Sequence, residues 1–305
     1  MSALINGGRP FLTRDSADVG LSTYRVRALR ADGGLRDVFR GVVVDARVPE
    51  SRDLRAVVLD LVRPKGAVFY GETVAWLHGL DVFRPGDRHQ LVPRCVVPHG
   101  SGRARRAGVV CHEGYIAPRD VETIDGLQVT TAVRTVTDLL RTSFRPYALV
   151  AADAFAAAGL IDPDAVRGAL VMLRGYPGIR QARVLAELID PLVESSGETL
   201  TRLRLVDAGL PAPTSQIVLR SRSGVVVARL DMGYEEQKIA VEFDGRRDHS
   251  SDEDRAHDAA RRRAVAEQFG WRVLVVTSED IWGDGPPFEA QVAEMLGIGS
   301  LPRLW

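Results

Sequence analysis

The sequence predicts a multi-domain α/β protein, and three features carry that reading. At 305 residues the chain is long for one domain and suits two or three. Its 45% hydrophobic content is that of an ordinary globular protein with enough apolar material for real cores. Helix-spaced and alternating apolar runs follow one another along it. They give a helical start with a β-ribbon (1–50), a mixed middle (51–185) and a strand-rich last third closed by helix and strand (186–305).

Composition narrows the function classes. Acidic and basic residues balance at 40 each, so the chain is not a basic coat for nucleic acid, although local patches stay open. The lysines are Lys65 and Lys238; all other positive side chains are arginines, whose planar forks suit phosphate better than a lysine point charge. Two cysteines, Cys95 and Cys111, cannot make a disulfide framework. The opening MSALINGGRP lacks the charged start and apolar run of a signal peptide. No stretch reaches the ~18–20 apolar residues of a membrane span. The expectation is a cytosolic, reduced protein with no membrane partner.

In residues 1–50, Thr13 or Asp15 can cap a short helix that stops at Gly20. Ser22 then caps a second helix, with Tyr24, Val26 and Leu29 expected inward and Gly33-Gly34 as its stop. LRDVFRGVVVD alternates like a ribbon that turns near Arg40-Gly41. Helix, turn, helix and ribbon is the order of a winged helix-turn-helix, in which the second helix enters the major groove and the ribbon follows the backbone. Arg25, Arg27 and Arg30 would then lie on the second helix and Arg36 and Arg40 on the wing. A small helical cap with solvated arginines is the plainer reading of the same residues.

In the middle, LRAVVLDLV, TVAWLHGL, RTVTDLLRT and YALVAADAFAAAGL read as helices, and RHQLVP and AGVVCHEGY as strands. Pro98–Arg106 is a Gly/Arg loop suited to phosphate or to solvent. Cys95, His99, Cys111 and His112 could in principle bind zinc. The paired spacing of a zinc knuckle is absent, however, and adjacent Cys111 and His112 on a strand would point to opposite faces.

The last third holds the chemistry. Ser195 and Glu198 form a capping box opening a helix that Gly209 stops. SQIVLRSRSGVVVARLDMGYEEQKIAVEFDG reads as three strands turning near Ser223-Gly224 and Glu236-Gln237. With Glu236-Gln237 as a two-residue turn, Asp231 stands opposite Glu242. Leu230, Met232, Tyr234, Ile239, Val241 and Phe243 then share one face, and Asp231, Glu242 and Asp244 the other. Like charges so placed destabilise a hairpin unless compensated, and hard carboxylate oxygens suit Mg²⁺ (or Mn²⁺). A loop with Arg246, Arg247 and His249 follows, then a helix bearing Arg261, a Gly270 stop and a buried strand 271–277. Such a metal, with arginines near it, can activate water and steady a phosphate in an in-line displacement. Edge charges satisfied by Arg229 or Arg261 are the plainer alternative.

The run ESSGETLTRLRL…GLPAPTSQIVL…ARLDMGYEEQKIAVEFDG…H…D…R…GWRVLVVT resembles the very-short-patch-repair (Vsr)-like branch of the PD-(D/E)XK nuclease superfamily. The N-terminal region resembles the winged-helix domain of AbiEi-type antitoxins of type IV toxin–antitoxin systems, with VFRGVVVD, GETVAWLHGL and VTTAVRTVTDLL farther on in support. The first resemblance implies a restriction-endonuclease-like α/β sandwich, with Asp231 and Glu242 as metal ligands and Glu198 as the preceding helix glutamate. His249 is implied as acid–base or phosphate partner. Asp244 stands where that family expects lysine, and Lys238 lies ~13 Å away along the strand at ~3.3 Å per residue. Arg246, Arg247 and Arg261 are placed as phosphate contacts.

The leading expectation is a divalent-metal-dependent endonuclease or nickase that binds double-stranded DNA. Its rival is a non-catalytic DNA-binding regulator or antitoxin, partnered by a cognate toxin, that keeps the nuclease fold as a scaffold. A repair partner fits the first reading. An RNA-acting nuclease ranks last, because single-stranded recognition relies on exposed aromatics and these are few.

Overall fold

The structure, a computed structural model, describes residues 3–84, 91–100, 108–245 and 262–305. It is a mixed α/β protein that divides into two compact units, Met1–Ile189 and Asp190–Trp305.

The first unit begins with a 3-10 turn (Ile5–Gly8), β1 (Phe11–Leu12), a 3-10 segment (Thr13–Val19), α1 (Thr23–Ala31), β2 (Leu35–Phe39) and β3 (Val42–Asp45). Ser22 caps α1 by accepting from the Arg25 amide at 3.1 Å. The three strands are antiparallel in the order β1-β3-β2, and Phe11, Val26, Leu29, Leu35 and Val43 close a small core. Two expectations are corrected here. The first helix is a 3-10 segment, interrupted where Asp15 leaves helical angles. Tyr24 is 81% exposed, because it lies roughly 200° round the helix from Val26 and so off the face that Val26 and Leu29 define.

Buried Asp45 ties this module together. Its carboxylate accepts from the Ile5 amide (2.8 Å), the Arg47 amide (2.9 Å) and the Arg47 fork (2.7 and 2.9 Å). The Arg47 guanidinium, helped by these amides, holds the Asp45 carboxyl well below the usual carboxylate range despite burial.

The unit continues with α2 (Arg52–Val62), β4 (Val68–Phe69), α3 (Glu72–His78), β5 (Arg94–Val97), β6 (Val110–Glu113), β7 (Val121–Ile124) and β8 (Leu127–Thr130). These last five strands form one sheet, β6-β5-β4-β8-β7, parallel at β5–β6 and β4–β8 and antiparallel elsewhere. Of the strand expected at RHQLVP, residues 88–90 lie outside the described residues and Leu91–Pro93 lie in no strand; β5 begins at Arg94. Pro93, with no amide hydrogen, cannot donate to a ladder. Four helices complete the unit: α4 (Ala132–Thr142), α5 (Arg145–Ala157), α6 (Pro163–Val171) and α7 (Ile179–Ala186). α5 is buried from Tyr147 through Asp153 and again at Phe155, with α4 and α7 packed against it.

The second unit runs α8 (Ser196–Asp207), β9 (Thr214–Arg220), β10 (Val226–Tyr234), β11 (Ile239–Phe243), α9 (described over 262–269), β12 (Arg272–Val276), α10 (Ser278–Trp282) and α11 (Phe288–Leu296). Its sheet order is β12-β11-β10-β9, with β11–β12 parallel and the other pairs antiparallel. Parallel pairing requires a long crossover, and α9 lies within it. Val265 of α9 and Trp271 pack with Leu230 and Ala240 of the sheet.

Arg204 of α8 is 2% exposed and pairs with buried Glu289 of α11. Its guanidinium also donates to the Ile281 carbonyl and lies 5.5 Å from the Phe288 ring centre and 5.2 Å from that of Trp305. Removing one partner of a buried pair strands the other charge, at a cost of about 3–5 kcal/mol. Arg204→Met is expected to destabilise by that order in urea melts of the full chain, and Arg204→Met with Glu289→Leu to recover most of the loss. A single variant as stable as the wild type would show that the pair is not needed. Asp45→Asn is expected to cost about 1–3 kcal/mol at neutral pH. Because the folded carboxyl titrates below its unfolded value of about 3.9, that difference is present above pH ~4 and lost as pH falls through the folded value. Melts at pH 7 and pH 3 measure it.

Candidate functional site

The β10–β11 hairpin turns through Glu236-Gln237, where the Lys238 amide donates to the Glu235 carbonyl at 3.2 Å and Lys238 adopts φ +52°. The paired residues are Met232↔Val241, Gly233↔Ala240 and Tyr234↔Ile239. Carried one step further, this register sets Asp231 opposite Glu242, as the turn length predicted. At that step the main-chain ladder stops. The Phe243 amide donates to the Asp231 carboxylate, Oδ2, at 2.8 Å. One residue on, the Asp244 amide still donates to the Val276 carbonyl at 2.8 Å, so β11 stays tied to β12. A carboxylate therefore occupies the place where β11 loses its neighbour on one side.

The other flank of β10 is disturbed at the same level. β9 pairs Leu230↔Ile217 and Met232↔Ser215, which leaves Gln216, at φ +54°, beside Asp231. Gln216 donates its side-chain amide to Glu198 Oε2 at 3.0 Å. Glu198 Oε2 also accepts from the Glu194 amide (3.1 Å) and Oε1 from the Ser195 hydroxyl (2.8 Å), while Ser195 Oγ accepts the Glu198 amide (3.2 Å). This is the expected capping box, shifted so that the residue before the cap donates the return bond. Burial pushes the Glu198 carboxyl up, the bonds from Glu194 and Ser195 pull it down, and the charge of Asp231 raises it further. Arg229, on the same strand, pairs with Glu194 at 2.7 Å in solvent. Gly197 seats α8 on the sheet: a Cβ there would stand 2.0 Å from the Phe243 ring.

The residues anticipated from sequence are thus partly assembled. Glu198 and Asp231 interact, and Glu242 lies opposite Asp231 by register. The expected division into one apolar and one acidic face is corrected. Ile239, Ala240, Val241 and Glu242 are all buried, because α9 and α8 cover the sheet from its two sides. Asp244 is half-buried at the end of β11, and Lys238 donates instead to the Phe269 carbonyl at 2.9 Å, capping α9. His249, Arg246, Arg247 and Arg261 lie outside the described residues. Sequence reasoning missed Gln216 and Gly197. A glycine inside a capping box was the one available signal for the second.

Asp231 and Glu242 carry hard oxygens of the kind Mg²⁺ takes; Asp231 Oδ2 already accepts the Phe243 amide, and both Glu198 oxygens are engaged. Among the described residues no three His, Cys, Asp or Glu side chains gather as a metal site. That covers the cysteine and histidine set too. Cys95 and Cys111 sit side by side on β5 and β6 with Sγ atoms 3.1 Å apart, while His99 and His112 are exposed. Burial pushes the Cys95 thiol up, away from the thiolate that a metal would need.

On the N-terminal module, Arg25, Arg27 and Arg30 are exposed on α1, and Arg40 is exposed at the β2–β3 turn. Arg30 is forked onto Asp37 (2.5 and 3.1 Å). Arg36 is held by the Val48 carbonyl (3.1 Å) and Glu50 (3.2 Å). Among the described residues Arg25, Arg27 and Arg40 form no ion pair.

Residues 67–188 match the family model of the AbiEi antitoxin C-terminal domain. The matched range runs from β4 through α7, taking in the five-stranded sheet and helices α3 to α7. The chain is also similar to uncharacterized proteins of two Mycobacterium tuberculosis strains, CDC 1551/Oshkosh and H37Rv. Each is 26% identical over 265 residues, covering 87% of this chain and 93% of the relative. That alignment is longer than either compact unit and so reaches into both.

Glu198 gives a test with a definite sign. Its folded carboxyl titrates above the unfolded value, so its ionisation opposes folding increasingly as pH rises through the unfolded and then the folded value. Glu198→Gln should therefore gain stability relative to the wild type between pH 4 and pH 7. Melting curves of both proteins at the two pH values decide this, and a pH-independent difference would contradict the burial argument.

Proposed function

We propose that the protein is a DNA-binding regulator of the antitoxin class, whose partners are duplex DNA and a cognate toxin. The AbiEi match over residues 67–188 carries this reading. The module before it supports the DNA-binding half. Its strand order β1-β3-β2, with α1 leading into the β2–β3 hairpin, supports reading it as a small winged helix. In that geometry α1 enters the major groove and the hairpin runs along the backbone. Arg25 and Arg27 are the side chains for the groove and its phosphates, and Arg40 meets the backbone from the hairpin. Arg30 and Arg36 are committed to Asp37 and Glu50 and serve mainly to hold helix and hairpin in place. In this reading the second unit is a scaffold with a nuclease-like order of elements.

A second reading, an endonuclease or nickase, is favoured by one observation: the Asp231 carboxylate replaces a ladder bond beside buried Glu242. Asp231 and Glu242 would hold Mg²⁺ or Mn²⁺, which supplies Lewis acidity and an activated water. Glu198 would orient the Asp231 side through its charge, and His249, Arg246, Arg247 and Arg261 would act on phosphate. Asp244, standing where that family has lysine, and the engaged Glu198 oxygens weigh against turnover.

Gel shifts with a random duplex pool at low salt, without divalent metal, test the first reading. Binding is expected, and Arg25→Ala with Arg27→Ala is expected to weaken it about tenfold or more and flatten its salt slope by roughly two. Loss of binding on removing metal, or indifference to both arginines, contradicts it. Supercoiled plasmid in Mg²⁺ or Mn²⁺ separates the two readings. Relaxation by the wild type that Asp231→Ala or Glu242→Ala abolishes establishes a nuclease, and intact plasmid with retained binding supports the regulator.

A further inference from the structure

The first unit contains a cavity of about 740 Å³, within the ~300–1,000 Å³ range of small-molecule sites. Its walls come from the turn after β4, from β5, from Val82–Arg84 and from α4 and the start of α5. Three guanidiniums line it, and their states differ. Arg134 is neutralised twice, by Asp138 at 2.6 Å and Asp120 at 2.8 Å. Arg84 has no carboxylate partner among the described residues; it lies 4.8 Å from the Phe144 ring centre and 5.5 Å from that of Tyr147, which fixes its direction. Arg94 is only loosely matched, with Glu72 3.8 Å away and its side chain half in solvent. Its backbone is fixed on both sides, because the Arg94 carbonyl accepts the Tyr70 amide (3.2 Å) and its amide donates to Thr73 Oγ1 (2.8 Å).

Flat apolar surface adjoins this incompletely neutralised charge. Tyr70 and Phe83 are half-buried in the wall, and Tyr115 is 76% exposed on the rim. An exposed aromatic ring beside a cavity costs apolar contact with water unless something covers it. Two available guanidiniums call for an anion of at least two oxygens, and Arg forks suit phosphate. The rings call for a planar heterocycle, which stacks on them regardless of its edge chemistry. Glu72, on the same wall, accepts from hydroxyl or amino donors.

We propose that this cavity binds a nucleoside phosphate, with Arg84 and Arg94 on the phosphate, Tyr115 and Tyr70 against the base, and Glu72 accepting from the sugar or an exocyclic amine. The site stands independently of the DNA-binding reading, since its residues lie outside the N-terminal module.

Calorimetric titration of the full chain with AMP, ATP and GMP, beside adenosine and inorganic phosphate, tests this. At least one nucleotide is expected to bind at least tenfold more tightly than adenosine or phosphate. Tyr115→Ala and Arg94→Gln alter exposed side chains, so both are expected to keep the wild-type melting temperature and duplex affinity while weakening nucleotide binding about tenfold. No binding of any of the three nucleotides at millimolar concentration overturns the proposal. So does nucleotide binding that neither variant weakens, which would place the ligand elsewhere, or phosphate binding as tight as AMP, which would make the cavity an anion site that ignores the base.

Discussion

Charge withdrawn from water organises both units. A carboxylate or guanidinium in the interior is tolerated only where several donors or acceptors meet it, so each such group fixes the segments that supply them. Asp45 gathers the chain start and the end of β3 through Ile5 and Arg47. Arg204 gathers α8, α10, α11 and the last residue through Glu289, Ile281, Phe288 and Trp305. Glu198 gathers the α8 cap and β9. These contacts act as locators: the apolar cores supply the drive to collapse, and the buried charges choose one arrangement among those the cores would allow.

The acidic site grows from the same constraint. A β-sheet interior ordinarily spends every amide on a neighbouring carbonyl. At Phe243 the amide goes to a side chain, which lets β10 and β11 part while keeping the donor satisfied. Parting strands open room between them, and the residues at the fork are Asp231 and buried Glu242. Whatever the site does, it exists because one carboxylate took over a main-chain role. Gly197 brings α8 close enough to place Glu198 within the influence of that carboxylate.

Much of this was legible in the sequence, for identifiable reasons. The two-residue turn at Glu236-Gln237 fixes register because side-chain period in a strand is two, so Asp231 and Glu242 could be matched by counting. Ser22, Ser195, Gly20, Gly209 and Gly270 mark helix ends through local chemistry that does not depend on the rest of the fold. What escaped was non-local. Tyr24 is the exception, a matter of local helix period, since it lies roughly 200° round α1 from Val26. Burial of Glu242 on a strand covered from both sides needs the positions of α8 and α9. The cavity between β5 and α4 assembles residues forty positions apart, such as Arg94 and Arg134, with no motif to announce it. Of the strings that carry the AbiEi resemblance, GETVAWLHGL and VTTAVRTVTDLL lie in the segment that the family model matches, whereas VFRGVVVD and the N-terminal region on which the resemblance centred lie before it.

The scarcity of lysine has a practical side. Lys65 and Lys238 are both exposed, one in each compact unit, so side-chain amines mark the two halves of the chain separately. They differ in what acylation would do. At Lys65 it would add a label on an exposed turn. At Lys238 it would remove the charge that closes the end of α9, the helix lying between the acidic strand and its parallel neighbour. A reagent as simple as an activated ester is therefore also a probe of how firmly that helix is held.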